Sequence, residues 1–122
     1  MNNNKSGKIA EFAARMFLRF KGYRIVAKNV KAGKNMNIGE VDFVAYRKNT
    51  LVFVEVKKRS SLTRAAYAVS ENQQKRIIRG AEFFLKKYQK YRDCDIRFDV
   101  VLVAFPFEIA HIKNAWQCKS VN

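Results

Sequence analysis

The chain has 122 residues, a length suited to one domain around one modest core. Its 48% hydrophobic and 13% aromatic content excludes a disordered basic tail, while 25 Lys and Arg against 10 Asp and Glu leave a formal charge of +15. Such a surface gathers polyanions, nucleic acid above all; no helical pattern sets a uniformly basic face against a large apolar one, as an anionic membrane surface would require.

Residues 1–5 read as a flexible start, and the opening MNNNKSGK lacks the apolar core of a secretion signal. No run approaches the roughly 18 apolar residues of a membrane span, so a cytoplasmic protein with no membrane partner is expected. Ser6 is placed to cap a helix in which Ile9, Phe12, Ala13, Met16, Phe17 and Phe20 recur at helical spacing, and Gly22 to end it in a left-handed conformation. Glu11 flanks that stripe and is the only acid before Glu40, among nine basic residues. Two readings are open to it, an i,i+4 pair with Arg15 and a functional carboxylate. Residues 23–30 read as a strand, with Tyr23, Ile25 and Ala27 on one side and Arg24, Val26 and Lys28 on the other. The basic loop at residues 31–37 carries Lys31 and Lys34, which suit a phosphate backbone, although a solvated turn has the same composition.

Residues 38–59, IGEVDFVAYRKNTLVFVEVKKR, form the organising stretch, two apolar runs around a polar break and hence an antiparallel hairpin. A turn centred on Lys48 and Asn49 sets Asp42 opposite Glu55 and Glu40 opposite Lys57. On the other side it pairs Val41 with Val56, Phe43 with Val54 and Ala45 with Val52. One side is then purely apolar. The other carries three carboxylates and an ammonium beside Val44, Leu51 and Phe53, where charges need a metal, a partner or water. A surface salt-bridge ladder is the plainer account, yet three of the ten acids, Glu40, Asp42 and Glu55, fall within this one ribbon.

After the polar connection at residues 60–68, Ser70 and Gln73 have capping-box spacing and open a helix with Gln74, Ile77, Ile78, Ala81, Phe84, Leu85 and Tyr88 at the 3.6-residue period. That helix is expected to cover the apolar side of the sheet, and its first turns carry Gln73, Lys75, Arg76 and Arg79. Residues 97–105 alternate two mostly apolar sets and read as an interior strand stopped by Pro106. A short strand at residues 109–113 and a flexible tail at residues 117–122 complete the chain. Cys94 and Cys118 have no metal or disulfide spacing and read as inert thiols. His111, the sole histidine, has no neighbouring acid in sequence and reads as structural, as does Asp99, buried against an arginine or a backbone amide. Trp116 suits base stacking or a core contact. The order of elements gives one α/β domain, with a mixed sheet of about five strands flanked by helices.

Phosphodiester hydrolysis needs a divalent ion to neutralise developing charge and a positioned water as nucleophile. Mg²⁺ or Mn²⁺ favours oxygen ligands, which Asp42, Glu55 and the backbone carbonyl of Val56 can supply. Lys57, two residues from Glu55 and on the same strand face, is placed to orient the water or stabilise the transition state. Arg59 is a candidate phosphate contact, whereas Lys58 points away.

The chain resembles the YraN-like family of bacterial proteins, UPF0102, whose fold is related to restriction endonucleases and Holliday-junction resolvases. The resemblance is carried by Glu11, Gly22-Tyr23, Asn29, Gly39-Glu40-Val41-Asp42, the run from Val52 to Lys57 with Arg59, Lys75, Arg97-Phe98-Asp99-Val100, His111-Ile112 and Asn114-Ala115-Trp116. It implies a restriction-endonuclease-like PD-(D/E)xK core with catalytic positions at Glu11, Asp42, Glu55 and Lys57, Glu11 also adding to the metal site. It places Gln73 and Lys75 on a helix that carries a further polar site residue. Residues 63–66 lack the glycine expected of the family, and Trp116 stands where phenylalanine is usual.

Together these readings predict metal-dependent hydrolysis of DNA, in preference to RNA, on branched or single-stranded intermediates of repair, recombination or uptake. Lys31, Lys34, Arg59, Gln73, Lys75, Arg76 and Arg79 are the expected nucleic-acid contacts. The alternative is a non-catalytic nucleic-acid-binding module that keeps the nuclease fold. A homodimer is expected by analogy with two-fold resolvases.

Overall fold

In a computed structural model, residues 3–33, 38–105 and 108–117 are described. Helix α1 (Asn3–Phe20) leads into strands β1 (Arg24–Lys31), β2 (Glu40–Arg47) and β3 (Thr50–Arg59); helix α2 (Glu71–Lys87) then precedes β4 (Asp95–Ala104) and β5 (Glu108–Trp116). The five strands lie in chain order in one sheet. Only β3 and β4 run parallel, with α2 as their crossover, and the other pairs are antiparallel. This mixed α/β sheet is the expected architecture, consistent with a restriction-endonuclease-like core. Lys34, Pro106 and Cys118 lie outside the described residues, and Cys94 is a free thiol.

The local signals at both helix ends behave as the sequence implies, with two exceptions. Gly22 takes φ +96°, and the Tyr23 and Gly22 amides donate to the Leu18 and Arg19 carbonyls, closing α1. The helix already includes Asn3, so its start lies before Ser6. Ser70 Oγ does cap α2, accepting from the Gln73 amide at 3.2 Å. The other half of the capping box is absent because the Gln73 side chain turns to Lys57.

Each helix covers one face of the sheet. Phe43, Ala45, Val52 and Val54 pack under α1 with Ala10, Ala14 and Leu18. Val44, Leu51 and Phe53 pack under α2 with Ile77, Ala81 and Phe84. The sequence assigned α2 to the first of these faces; it lies on the second. The α1 stripe is also displaced. Ile9, Phe12 and Phe20 are exposed, and the small line Ala10–Ala14–Leu18 is buried in their place. At ~100° per residue the two lines point about 150° apart. Of the phenylalanines in the predicted stripe only Phe17 packs against that cluster, partly buried beside Ala10, Ala14 and Leu18.

Three backbone irregularities prevent simple alternation. The β1–β2 register shifts between Ile25 and Ala27, which turns Ala27 with Val26 toward the α2 side. Asn29 has φ +51°. The turn residues Lys48 and Asn49, at φ +50° and +61°, close a two-residue hairpin with Arg47 opposite Thr50, as predicted. That ladder runs from there to Phe43 opposite Val54 and stops. Val41 packs instead with the α2 cluster, because Gly39 and Gly80 let the start of β2 lie backbone to backbone on the helix.

A Cβ on Gly39 would stand 2.7 Å from the Gly80 amide nitrogen, and one on Gly80 would stand 3.0 Å from the Glu40 carbonyl carbon. Gly39→Ala and Gly80→Ala are each expected to lower unfolding free energy by about 1–3 kcal/mol in urea titrations. Gly7→Ala, with nothing within 4 Å, is the control and should stabilise α1 by less than about 1 kcal/mol.

Candidate active site

Where β2 and β3 part, their backbones no longer pair, and a recess of about 180 Å³ opens between them. It is lined by Glu11 from α1, Glu40 and Asp42 from β2, Glu55 and Val56 from β3, and Gln73, Arg76 and Ile77 from α2. Asp42 Oδ2 accepts a 2.7 Å hydrogen bond from the Val56 amide, so a side chain replaces the missing ladder bond. In an extended strand the N–H and C=O of one residue leave on the same side, which turns the Val56 carbonyl toward this fork.

Lys57 is only 5% exposed. Its Nζ donates to Gln73 Oε1 at 2.7 Å and lies 3.6 Å from Glu55 Oε2. The sequence pairs Glu40 with Lys57. In the structure Glu40 instead forms an ion pair with Arg76, since the ladder that would have set it opposite Lys57 has already ended. Arg76, read from sequence as a nucleic-acid contact, is thereby held at the rim by a carboxylate.

Burial pushes the Asp42 carboxyl up to about 8, and the neighbouring Glu55 charge adds to the rise. Burial likewise raises Glu55, against the favourable pull of Lys57. Glu11 is raised by burial and then by Asp42. Three acids in one recess thus share too little positive charge. Among the described residues no three Asp, Glu, His or Cys side chains converge closely enough to hold an ion alone. The donor set that fits is two carboxylates and the Val56 carbonyl, a hard oxygen set that leaves several positions of a Mg²⁺ or Mn²⁺ shell to water. Glu11 lines the same recess without being part of such a cluster.

The structure therefore brings together Glu11, Asp42, Glu55, Val56, Gln73 and Arg76, with Lys57 held against Gln73 and Glu55. Lys31, Arg59, Lys75 and Arg79 are exposed and do not line the recess, although Lys31 pairs with Glu40 in the β1–β2 ladder. The link from Gln73 to Lys57 is absent from the sequence reading. Its one sequence signal is the position of Gln73 at the first turn of α2, where its amide is already tied to Ser70.

A second polar cluster lies apart from this recess. Asp99 is fully buried and accepts two bonds from Arg97 at 2.8 Å, one from the Asn114 amide at 2.9 Å and one from His111 Nε2 at 2.7 Å. With Nε2–H donating there, His111 Nδ1 accepts from Lys21 Nζ at 2.6 Å. Burial opposes the Asp99 charge, but the bonds from His111, Arg97 and the Asn114 amide outweigh it and hold the carboxyl below its ordinary range. Asp99 is buried against an arginine and a backbone amide, as expected, and the acid that His111 lacks in sequence is supplied by the adjacent strand. Trp116 stacks on Phe98 in the core, with ring centroids 5.2 Å apart.

Comparison with known proteins places the sequence among its relatives. The family model described as "Uncharacterised protein family UPF0102" matches residues 10–103. A UPF0102 protein of Paramagnetospirillum magneticum is 44% identical over 114 residues, covering 93% of this chain and 88% of its own. Another from Rhodopseudomonas palustris is 46% identical over 100 residues, covering 82% and 71%. A third, from Parvibaculum lavamentivorans, is 40% identical over 111 residues, covering 91% and 80%. No described helix is long and apolar enough to cross a membrane.

The raised carboxyls fix a sign for pH dependence. Asp42 ionises near 3.8 in the unfolded chain and near 8 in the folded one. Between those values the unfolded state holds fewer protons, so stability falls as pH rises through about 4 to 8. Asp42→Asn keeps an acceptor for the Val56 amide and removes the charge. In chelator at pH 8 it is expected to melt several degrees above the parent, a gain of about 1 kcal/mol or more, with the difference shrinking toward pH 4. A variant less stable than the parent at pH 8 would contradict the shared-charge account.

Proposed function

We propose that this chain, which belongs to the family UPF0102, hydrolyses phosphodiester bonds of DNA with a divalent metal at the β2–β3 fork. The observation that carries the reading is the convergence of Asp42, Glu55, the Val56 backbone and Lys57 on one recess in a strongly basic protein. A bound Mg²⁺ or Mn²⁺ would neutralise charge on the scissile phosphate and acidify a coordinated water. Asp42 has one oxygen committed to the Val56 amide, which fixes its carboxylate, and its carboxyl also hydrogen-bonds to that of Glu55, so an ion held between the two would take the place of their shared proton. Glu55 and the Val56 carbonyl complete the protein's share of ligands.

Lys57, anchored by Gln73, has further hydrogens to orient the attacking water or to meet the charge that develops on phosphate oxygens. Glu11 approaches from α1 and can hold a water or the metal's outer shell. Arg76 neutralises Glu40 at the rim and lies beside the path of an incoming backbone. The remaining exposed cations, Lys31, Arg59, Lys75 and Arg79, would extend that path over the surface, and branched or single-stranded DNA is the substrate class proposed. A two-fold dimer would place two such sites on a junction of matching symmetry.

Cleavage of plasmid, single-stranded, flapped and four-way-junction DNA is expected with Mg²⁺ or Mn²⁺. Asp42→Ala, Glu55→Ala and Lys57→Ala should each lower it by about 10²-fold or more. Gln73→Ala should cost about tenfold through loss of the Lys57 anchor. Undiminished cleavage by Asp42→Ala removes the reaction from this site. Salt-sensitive binding with no cleavage by the parent favours a non-catalytic nucleic-acid module.

A further inference from the structure

The outer face of α1 holds large apolar side chains that the fold leaves in solvent. Phe12 is 58% exposed, Ile9 50% and Phe20 86%. With Met16 they occupy a sector of about 80° on the helix, nearly opposite the buried Ala10–Ala14–Leu18 line. Between this face and β1 runs a groove of about 420 Å³, floored by Met16 and Ile25 and walled by Phe12. Arg15, Arg19 and Lys28 line it, and no acidic side chain does. A contiguous apolar surface with a charged rim marks a binding site in a soluble protein.

We infer that this groove docks an acidic amphipathic helix of a protein partner, its apolar side chains seated between Phe12, Met16 and Ile25 and its carboxylates on Arg15, Arg19 and Lys28. Charge selects the occupant. A second copy related by two-fold symmetry would set this basic rim against an identical basic rim, within a chain of net charge +15. An anionic bilayer would satisfy the rim and cover Phe20, but a planar surface does not fill the groove between α1 and β1. The inference is independent of the hydrolytic reading. It nonetheless gives a partner a lever on the recess, since Glu11 adjoins Phe12 on the same helix.

The test uses the full chain and a fluorescein-labelled synthetic helix of roughly 18 residues with leucines on one face and glutamates elsewhere. Anisotropy should report binding that weakens with salt, falls about tenfold or more in Phe12→Ser and changes less in Phe20→Ser, whose side chain does not line the groove. Both side chains are exposed, so circular dichroism should show both variants folded. Asp42→Ala should bind as the parent does, which separates this inference from the catalytic one. Three comparison arms are a peptide with lysine for glutamate, an acidic peptide with serine for leucine, and phosphatidylglycerol vesicles; sedimentation reads self-association. Equal binding of either control peptide overturns the inference. So does Phe20-dependent vesicle binding without peptide binding, or self-association that Phe12→Ser and Phe20→Ser abolish.

Discussion

The amide of Val56 has no strand partner on the β2 side, because the β2–β3 ladder ends at Phe43 and Val54. Asp42 takes that amide on its carboxylate, and the fork stays open at the width of a side chain instead of closing at the width of a backbone hydrogen bond. Everything at the site follows from this substitution. Glu55 and the Val56 carbonyl are left facing a recess, α1 and α2 reach its mouth from opposite faces, and Lys57 can bend to Gln73. The close approach of Gly39 and Gly80 holds the fork from outside by drawing the start of β2 toward α2.

That arrangement stores unfavourable electrostatics in a small protein. Three carboxyls are raised mainly by burial, with Lys57 near one and Arg76 committed to Glu40. Proteins tolerate such a cluster when the rest of the fold holds it rigidly, and the neighbouring strands β4 and β5 supply a well-satisfied counterpart. There Asp99 gathers Arg97, His111 and the Asn114 amide, while Arg97 also donates to the Tyr23 hydroxyl. Arg97 and Arg47 both lie over the Tyr23 ring. Strands β1, β4 and β5 and the end of α1 are thus tied through one carboxylate. Several motifs of the family resemblance, Gly22-Tyr23, Arg97 with Asp99, His111 and Asn114, meet at this knot and not at the recess.

Helix α1 joins the two parts of the surface. One side lays alanine and leucine on the sheet, one edge carries Glu11 into the recess, and the outer side presents Phe12 and Phe20. A helix with two apolar sides has an ambiguous hydrophobic stripe, and size alone selects the wrong one. The physical arbiter is the sheet beneath, whose Phe43, Val52 and Val54 take Ala10, Ala14 and Leu18, with Phe17 partly buried against them.

How much could be read from the chain divides along the same line. Alternation, turn chemistry and caps are local, and they determined the element order, the Lys48–Asn49 turn, the hairpin register as far as Phe43 and Val54, the Gly22 and Ser70 caps, and the gathering of Asp42, Glu55 and Lys57 on neighbouring strands. Period-two patterning carries no mark of where a ladder stops, so the sequence extended it and set Glu40 on Lys57 and Val41 on Val56. The tertiary structure decided otherwise through glycine contacts, the β1 bulge and Asn29, none of which has a hydrophobic signature. It also decided which helix covers which face, and it gave Gln73 to Lys57 and Asp99 to His111. Those partners are distant in sequence and meet only because β3, α2, β4 and β5 pack as one unit.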